Sequence, residues 1–186
     1  MAKKGIRYAV FATLTETVSD GVTTLTYAGG KNISPVAGFN GSINTSTGKD
    51  YGDDRVVDTA NDVTGGTLTV ELNNEEDDIY TMLLGHTKAT GQSDNTITFN
   101  ADDVAPYVGA GAIGLSGNKW VAKWYRKVQF HEPNDDNSTK QENVTFNHIT
   151  LEGEILIPGD GNWKEQQAFT TFTAAKTWLD GKANVA

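Results

Sequence analysis

The stretch YVGAGAIGLSGNKW, residues 107–120, bears most directly on the fold class. Gly109, Gly111 and Gly114 have the G-x-G-x-x-G spacing of dinucleotide-binding loops. Such a loop needs a helix after its last glycine, because the helix N-terminus holds the pyrophosphate. Here a turn at 115–118 and a second alternating stretch follow instead. The pattern therefore favours strands whose small residues let another backbone come close, and we expect no bound cofactor.

Composition limits the possible functions. The 186 residues suit a single domain spanning 1–186, and the absence of cysteine excludes disulfides and thiolate chemistry. The net charge of −9 argues against general binding to nucleic acid or to anionic membranes. The apolar stretch near the N-terminus is too short for a signal peptide or a membrane span, so we expect a protein made in a cytoplasm, with no membrane partner.

Short alternating runs separated by Gly, Thr and Asn predict an antiparallel β protein, either a sandwich or a half-barrel. Residues 6–14 and 22–28 read as strands joined by a hairpin connection, and 67–72 read as another strand. In residues 119–132 the alternation places an apolar set on one face, with Arg126 as the interruption, either at a sheet end or paired with an acid. That set is Trp120, Ala122, Trp124, Val128 and Phe130.

One flanking α-helix is predicted at about residues 74–84. Acidic residues at 75–78 favour a helix start, and Ile79, Met82 and Leu83 have helical spacing before Gly85. The stretch AAKTWLDGK, residues 174–182, could form a short C-terminal helix ended by Gly181.

Two further features concern loops and bulges. Residues 40–66 are mostly polar, which predicts a long loop there with at most a short strand near Arg55. In residues 144–157 the apolar phase changes from even to odd positions, which predicts a β-bulge near Asn147 and His148, or a transfer between sheets.

No motif indicates catalysis or a metal. His131 and Glu132 are adjacent, but neighbouring residues on a strand point to opposite faces and make a poor chelate. The oxygen-rich loops at 134–137 and 159–162 lack the calcium-binding ladder, and no serine lies in a nucleophile elbow. We therefore expect no enzyme, no metal site and no catalytic residues.

The leading alternative is a ligand-binding β-sandwich, such as a carbohydrate-binding module with an aromatic platform. Trp120, Trp124 and Tyr125 are the candidates for such a platform. Trp120 and Trp124 share an apolar strand face, which favours core packing.

Six sequence segments, taken in their order along the chain, point to a known family. They are GIRYAVFA (5–12), LLGHT (83–87), NADDVAPYVGAGAIGL (100–115), KWYRKVQFHEPNDDNSTKQENVTF (123–146), LEGEI (151–155) and DGNWK (160–164). This succession resembles the major tail proteins, or tail tube proteins, of long-tailed, non-contractile siphophages, especially those of Gram-positive hosts. The resemblance is densest over 83–164 and does not extend to 40–66, and we expect no C-terminal immunoglobulin-like domain.

The resemblance implies a tail-tube-like fold and a structural role in the virion. Subunits are expected to form hexameric rings that stack into a hollow tube, with strands of each subunit joining one inner β-barrel around the passing double-stranded DNA. The implied partners are further copies of the chain, the tape-measure protein, the tail terminator and the distal tail proteins. The tube of a contractile tail or secretion apparatus is the alternative within this class.

Two sets of residues are candidates for roles in such a tube. Gly109, Gly111 and Gly114 could allow close approach at a joint between subunits. Carboxylates facing the lumen would repel phosphates and keep DNA from sticking, and the candidates are Asp53, Asp54, Asp102 and Asp103. The polar 40–66 segment could reach the ring above or below.

Overall fold

The computed structural model describes residues 3–33, 35–52, 55–91, 95–134 and 148–185. It is mainly β, as predicted. The strands are β1 (Lys3–Ser19), β2 (Val22–Asn32), β3 (Val36–Gly52), β4 (Arg55–Leu72), β5 (Thr87–Lys88), β6 (Ile97–Thr98), β7 (Val108–Ser116), β8 (Lys119–Phe130), β9 (Ile149–Ile155) and β10 (Lys164–Phe169). A π-helical turn covers Ile79–Leu83, and the α-helix α1 covers Phe172–Ala183.

One antiparallel sheet contains eight of these strands, in the order β2-β1-β7-β8-β9-β4-β3, with β10 also paired to β8. β5 and β6 form a separate small ladder. Although β1 and β3 lie far apart in the sheet order, they contact each other. The sheet therefore curls into an open half-barrel, and no ladder closes it among the described strands.

The β1–β2 connection is the predicted hairpin, and its turn is tight. Asp20 and Gly21 have φ of 50° and 77° and link Ser19 to Val22, which is its partner across the ladder. Two positive φ values in succession suit the twist of a hairpin, and Asp-Gly tolerates them.

The curled sheet has an apolar core on each side. The inner core is closed by the π-helical turn, whose Ile79, Tyr80 and Leu83 are buried in one cluster with residues of β1, β4, β7, β8 and β9. The outer core lies under α1, which buries Ala175, Leu179 and Ala183 at four-residue spacing. Thr171 caps α1 by accepting a hydrogen bond from the Ala174 amide at 3.3 Å.

The glycines of β7 serve packing within the subunit. Gly111 pairs with Trp124 of β8, and the Trp124 ring lies over both Gly109 and Gly111. A Cβ on Gly109 would lie 2.2 Å from Cζ2 of Trp124, and one on Gly111 would lie 2.6 Å from Cδ1 of Leu179 in α1. The prediction that Gly109 and Gly111 form a subunit joint is therefore wrong, because their own chain already occupies the space.

β8 carries a bulge that the sequence analysis did not place. Between Val108 and Ala110 of β7, the partner in β8 changes from Val128 to Tyr125, so β8 holds one extra residue. The bulge moves the apolar residues to the other face: Trp124 is in the outer core, whereas Val128 is in the inner core. The expectation of one continuous apolar face over 119–132 is wrong for this reason. The bulge predicted near Asn147 and His148 stays a prediction, since Asn147 lies outside the described residues.

The α-helix predicted at 74–84 is not present as such. That region forms only a brief helical turn, which ends before Gly85 at φ 82°. Its acidic residues are fixed to other groups instead: Glu75 accepts from the Tyr80 hydroxyl, Asp77 pairs with Lys88 and Asp78 pairs with Lys31. The helix on the sheet is α1, at the C-terminal site, and it continues past Gly181 to a left-handed cap at Asn184.

The prediction of a loop at 40–66 is also wrong. Its described residues, 40–52 and 55–66, belong to β3 and β4, which pair from Val36↔Leu72 to Gly52↔Arg55. Thr favours strands, and the backbone hydrogen bonds of an exposed ladder do not require apolar side chains, so a polar composition did not mean irregular structure. Among the described residues, no helix is long and apolar enough to cross a membrane.

Replacing Gly111 by Ala should destabilise the subunit by about 1–3 kcal/mol, because the added methyl group overfills the space beneath Trp124 and Leu179. Urea unfolding of the monomer measures this. The matched control is Gly114→Ala, whose new Cβ lies 3.5 Å from the nearest backbone oxygen and should be close to neutral. Equal stability of the two variants would contradict the packing role of Gly111.

Candidate functional site

Both ends of the large sheet are open. Among the described residues, no strand pairs with the outer side of β2 or of β3. Each strand therefore offers a row of backbone donors and acceptors to a further strand. Val18 and Val22, beside the β1–β2 turn, are 69% and 65% exposed and add apolar surface to the β2 end.

The distal part of β3 and β4 projects from the sheet, and we call its described residues, 44–52 and 55–64, the arm. β9 pairs with β4 from Leu72 to Gly66, and among the described strands none pairs with the arm beyond that point. The described side chains at 44–49 and 59–62 are all exposed. An isolated pair of strands is marginally stable in water, so the arm is a segment suited to packing against another surface.

A bulge sets the direction of the arm. Asn44 pairs with Gly65 and Thr45 with Val63, which leaves Thr64 as the extra residue. Gly65 has φ 138°, and the Thr64 hydroxyl donates to the Asn44 carbonyl at 3.3 Å. Bulges bend and twist a strand, and this one lies where β9 pairing stops.

The outer face of β3, β4 and β9 is polar and acidic, and we call it the acidic face. Its residues align in rows across the ladders, with Glu152 opposite Thr69 and Glu154 opposite Thr67. The face comprises Asn40, Ser42, Thr67, Thr69, Glu71, Glu152 and Glu154. It contains three carboxylates and no cationic side chain, and no ion pair joins these carboxylates to described residues.

The β1–β2 hairpin is anchored by a partly buried ion pair. Glu16 accepts hydrogen bonds from the Lys127 ammonium and, at 3.0 Å, from the Gly159 amide. The Lys127 hydrogen bond, supported by that amide, lowers the pKa of Glu16. Arg126, the next residue back along β8, pairs with Asp160 at 2.6 Å and with Glu165 at 3.5 Å. Of the two roles expected for Arg126, the structure therefore shows pairing with an acid.

The four aspartates predicted to line the lumen lie in different environments. Asp53 and Asp54 lie outside the described residues. Asp102 is exposed in a turn, where its amide donates to the Asn100 side chain. Asp103 is only 21% exposed at its side chain and binds His86, so it is not the free lumenal carboxylate expected. Gly114 is half-buried near the end of β7, and its role at a subunit joint stays a prediction.

A histidine with two carboxylates lies beside the inner core, and sequence reasoning did not find it. Nδ1 of His86 is 2.8 Å from Asp103, and Nε2 contacts Glu132. Burial disfavours the imidazolium, but the hydrogen bonds to the two carboxylates outweigh it and raise the pKa of His86. The three residues are 17 and 46 positions apart in sequence, and no local pattern links them.

Next to this cluster is an open pocket of about 620 Å³. Its described lining residues are Glu75, Asp77, Tyr80, Asn95, Ile97, Phe99, Glu132 and Pro133, none of which is a serine, threonine, lysine or histidine. Within the described part of the chain, no group of three His, Cys, Asp or Glu side chains is arranged to hold a metal ion. We therefore assign no catalytic role to the pocket.

Comparison with protein-family models and with curated proteins finds no match for this chain.

Replacing Glu16 by Gln should lower the free energy of unfolding by about 1.5 kcal/mol at pH 7, because a hydrogen bond to a charged group is lost. The pKa of Glu16 is lowered in the folded state, so its contribution is complete above its ordinary value and disappears as the pH falls through the lowered value. Unfolding curves from pH 7 to pH 3 should therefore converge for wild type and variant. The control, Glu152→Gln at an exposed site, should show a smaller difference at pH 7.

Proposed function

We propose that this protein is a tail tube protein of a long-tailed bacteriophage, which assembles into stacked hexameric rings around a bore for the genome. The observation that carries the proposal is the arm, whose strands extend beyond the pairing with β9 and whose described side chains at 44–49 and 59–62 are exposed. A pair of strands outside the rest of the sheet is suited to being buried against neighbouring subunits. The ring symmetry and the virion location come from the sequence resemblance.

The two open edges support ring formation. β2 and β3 differ in sequence and lie at opposite ends of the sheet order, so joining them between subunits gives a heterologous contact. Repeating such a contact by rotation closes a ring, and main-chain pairing provides its hydrogen bonds. The arm, which leaves the sheet at a bulge, is then placed to contact the adjacent subunit or the next ring.

The acidic face supports the role of a conduit. Three carboxylates on a sheet face without cations would repel the phosphates of passing DNA, whereas lysines would bind them and release counterions. We assign Glu71, Glu152 and Glu154 to the bore, in addition to the exposed Asp102. In this assembly the tape-measure protein occupies the bore before the DNA, and the terminator and distal tail proteins cap the tube.

The aromatic residues proposed as a carbohydrate-binding platform are packed within the subunit. Trp124 and Tyr125 are 0% and 3% exposed, and Trp120 packs edge-on against Phe172 at 5.2 Å. The tube of a contractile tail or secretion apparatus remains the alternative within the same class, and a surrounding sheath would distinguish it.

Electron microscopy of the purified protein at high concentration should show rings or tubes with a central hole. The decisive variant replaces residues 46–62 by Asn-Gly, which closes the shortened hairpin between the paired Thr45 and Val63. It should keep the thermal midpoint of the wild-type monomer, since the described residues removed have no buried side chain, but should form no stacked tubes.

The matched control exchanges two facing residues of the arm, Thr47→Asn with Asn61→Thr, and keeps its length and composition. This control should form normal tubes. A wild-type protein that stays monomeric at every concentration would contradict the proposed function, whereas tubes from the shortened variant would contradict only the role of the arm.

The bore assignment has its own test. Tubes carrying Glu152→Lys and Glu154→Lys should co-sediment with short double-stranded DNA at low salt and release it as salt rises, because lysines bind phosphates by counterion exchange. Tubes with the neutral changes Glu152→Gln and Glu154→Gln should not retain DNA. Asp102→Lys tests the sequence-predicted site: retention by this variant alone would place the bore at the 95–107 region instead of the acidic face.

A further inference from the structure

His86 is the one buried polar or charged residue in the described part of the chain. Its imidazole is 5% exposed, and each ring nitrogen meets a carboxylate. A neutral imidazole has one N–H and one lone pair, whereas imidazolium has two N–H donors. Ionised carboxylates can only accept hydrogen bonds. Both ring nitrogens can therefore donate to their carboxylates only when His86 carries both protons.

The cluster joins three separate parts of the chain. His86 follows the π-helical turn, and its amide donates to the Tyr80 carbonyl at 2.9 Å. Glu132 follows β8, and Asp103 lies in the segment from β6 to β7. We call residues 97–107 the 97–107 segment. Its Phe99 ring covers the imidazole, with ring centroids 4.4 Å apart.

We propose that His86, Asp103 and Glu132 form a pH-controlled latch that holds the 97–107 segment against the inner core when His86 is protonated and releases it when His86 loses a proton. After deprotonation, one of the two carboxylates faces the lone pair of the ring instead of a donor. The Phe99 contact also loses its cation–π attraction. The segment then keeps its sheet-side bonds, from the Leu14 amide to Tyr107 and from the Gln129 side chain to Ala105, and opens at its other half.

The turn that carries Asp103 transmits this change. Asp103 also accepts from the Asn100 amide at 3.1 Å, and its own amide donates to the Asn100 carbonyl at 3.0 Å. Holding the carboxylate therefore fixes the whole turn at 100–103. The described residues include six exposed large apolar side chains, and the segment carries three of them, Phe99, Val104 and Tyr107. The closed latch holds these three side chains in one arrangement.

The direction of the pH effect follows from the charges around the ring. The pKa of His86 is raised in the folded state, so the latch is fully closed below the ordinary histidine value and is lost as the pH rises through the raised value. The His86 hydrogen bond lowers the pKa of Asp103, so the carboxylate side fails only in acid. The other groups near the ring are Glu132, the Tyr80 hydroxyl with its partner Glu75, and Asp77, which is paired with Lys88.

The test measures hydrogen exchange in peptides covering 97–107 between pH 6 and pH 9, corrected for the intrinsic pH dependence of exchange. The sample is monomeric protein, checked by sedimentation, and the protonation of the His86 ring is followed by NMR on the same sample. Protection should fall by about tenfold as His86 titrates, since a charge-assisted hydrogen bond is lost. Because the latch lies within one subunit, this result does not depend on tube formation.

His86→Gln keeps a polar side chain that does not titrate and should remove the pH step. His131→Gln, at an exposed histidine next to Glu132, should keep the step. Asp103→Asn and Glu132→Gln should each move the His86 titration and the step together to lower pH, which a merely structural role would not produce. A wild-type protein without the step, or a step that persists in His86→Gln, would overturn the latch.

Discussion

The packing of Trp124 over Gly109 and Gly111 is the interaction on which the rest of the subunit depends. The ring fills the space that two absent side chains leave on β7, and both Tyr27 of β2 and Leu179 of α1 close around it. This fixes the pairing of β7 with β8 and seats α1 on the outer face of the sheet. α1 covers the outer face over β1, β2, β7, β8 and β10, and the π-helical turn closes the inner core, so the edges, the arm and the acidic face stay open to other molecules.

The open edges and the acidic face are unfavourable features for a protein that stays monomeric. Open strand edges invite pairing with other chains, and neighbouring like charges on a sheet face weaken it slightly. The chain keeps both features and adds the arm, whose described side chains at 44–49 and 59–62 are exposed. Each cost is offset if copies of the chain complete the edges and if the charges line a passage for a polyanion. The proposed tube uses all of these features together.

The sequence predicted the parts of the fold that depend on local patterns. The antiparallel β class, the β1–β2 hairpin and a C-terminal helix were predicted correctly because strand alternation, turn signals and helix-forming stretches act over a few residues. The arm was read as a loop because an exposed ladder needs no apolar residues. The acidic run at 75–78 suggested a full helix, but its side chains bind Tyr80, Lys88 and Lys31 instead.

The sequence by itself determined the strand class, the acidic charge, the absence of thiol chemistry and the order of phrases that resembles tail tube proteins. Only the tertiary structure decided which backbone the glycines of β7 approach, which face carries bare carboxylates and that His86 lies between Asp103 and Glu132. The physical reason is sequence distance. Side-chain period and turn chemistry are local, whereas these contacts depend on the curl of the sheet and on a bulge in β8 that reverses which face its residues present.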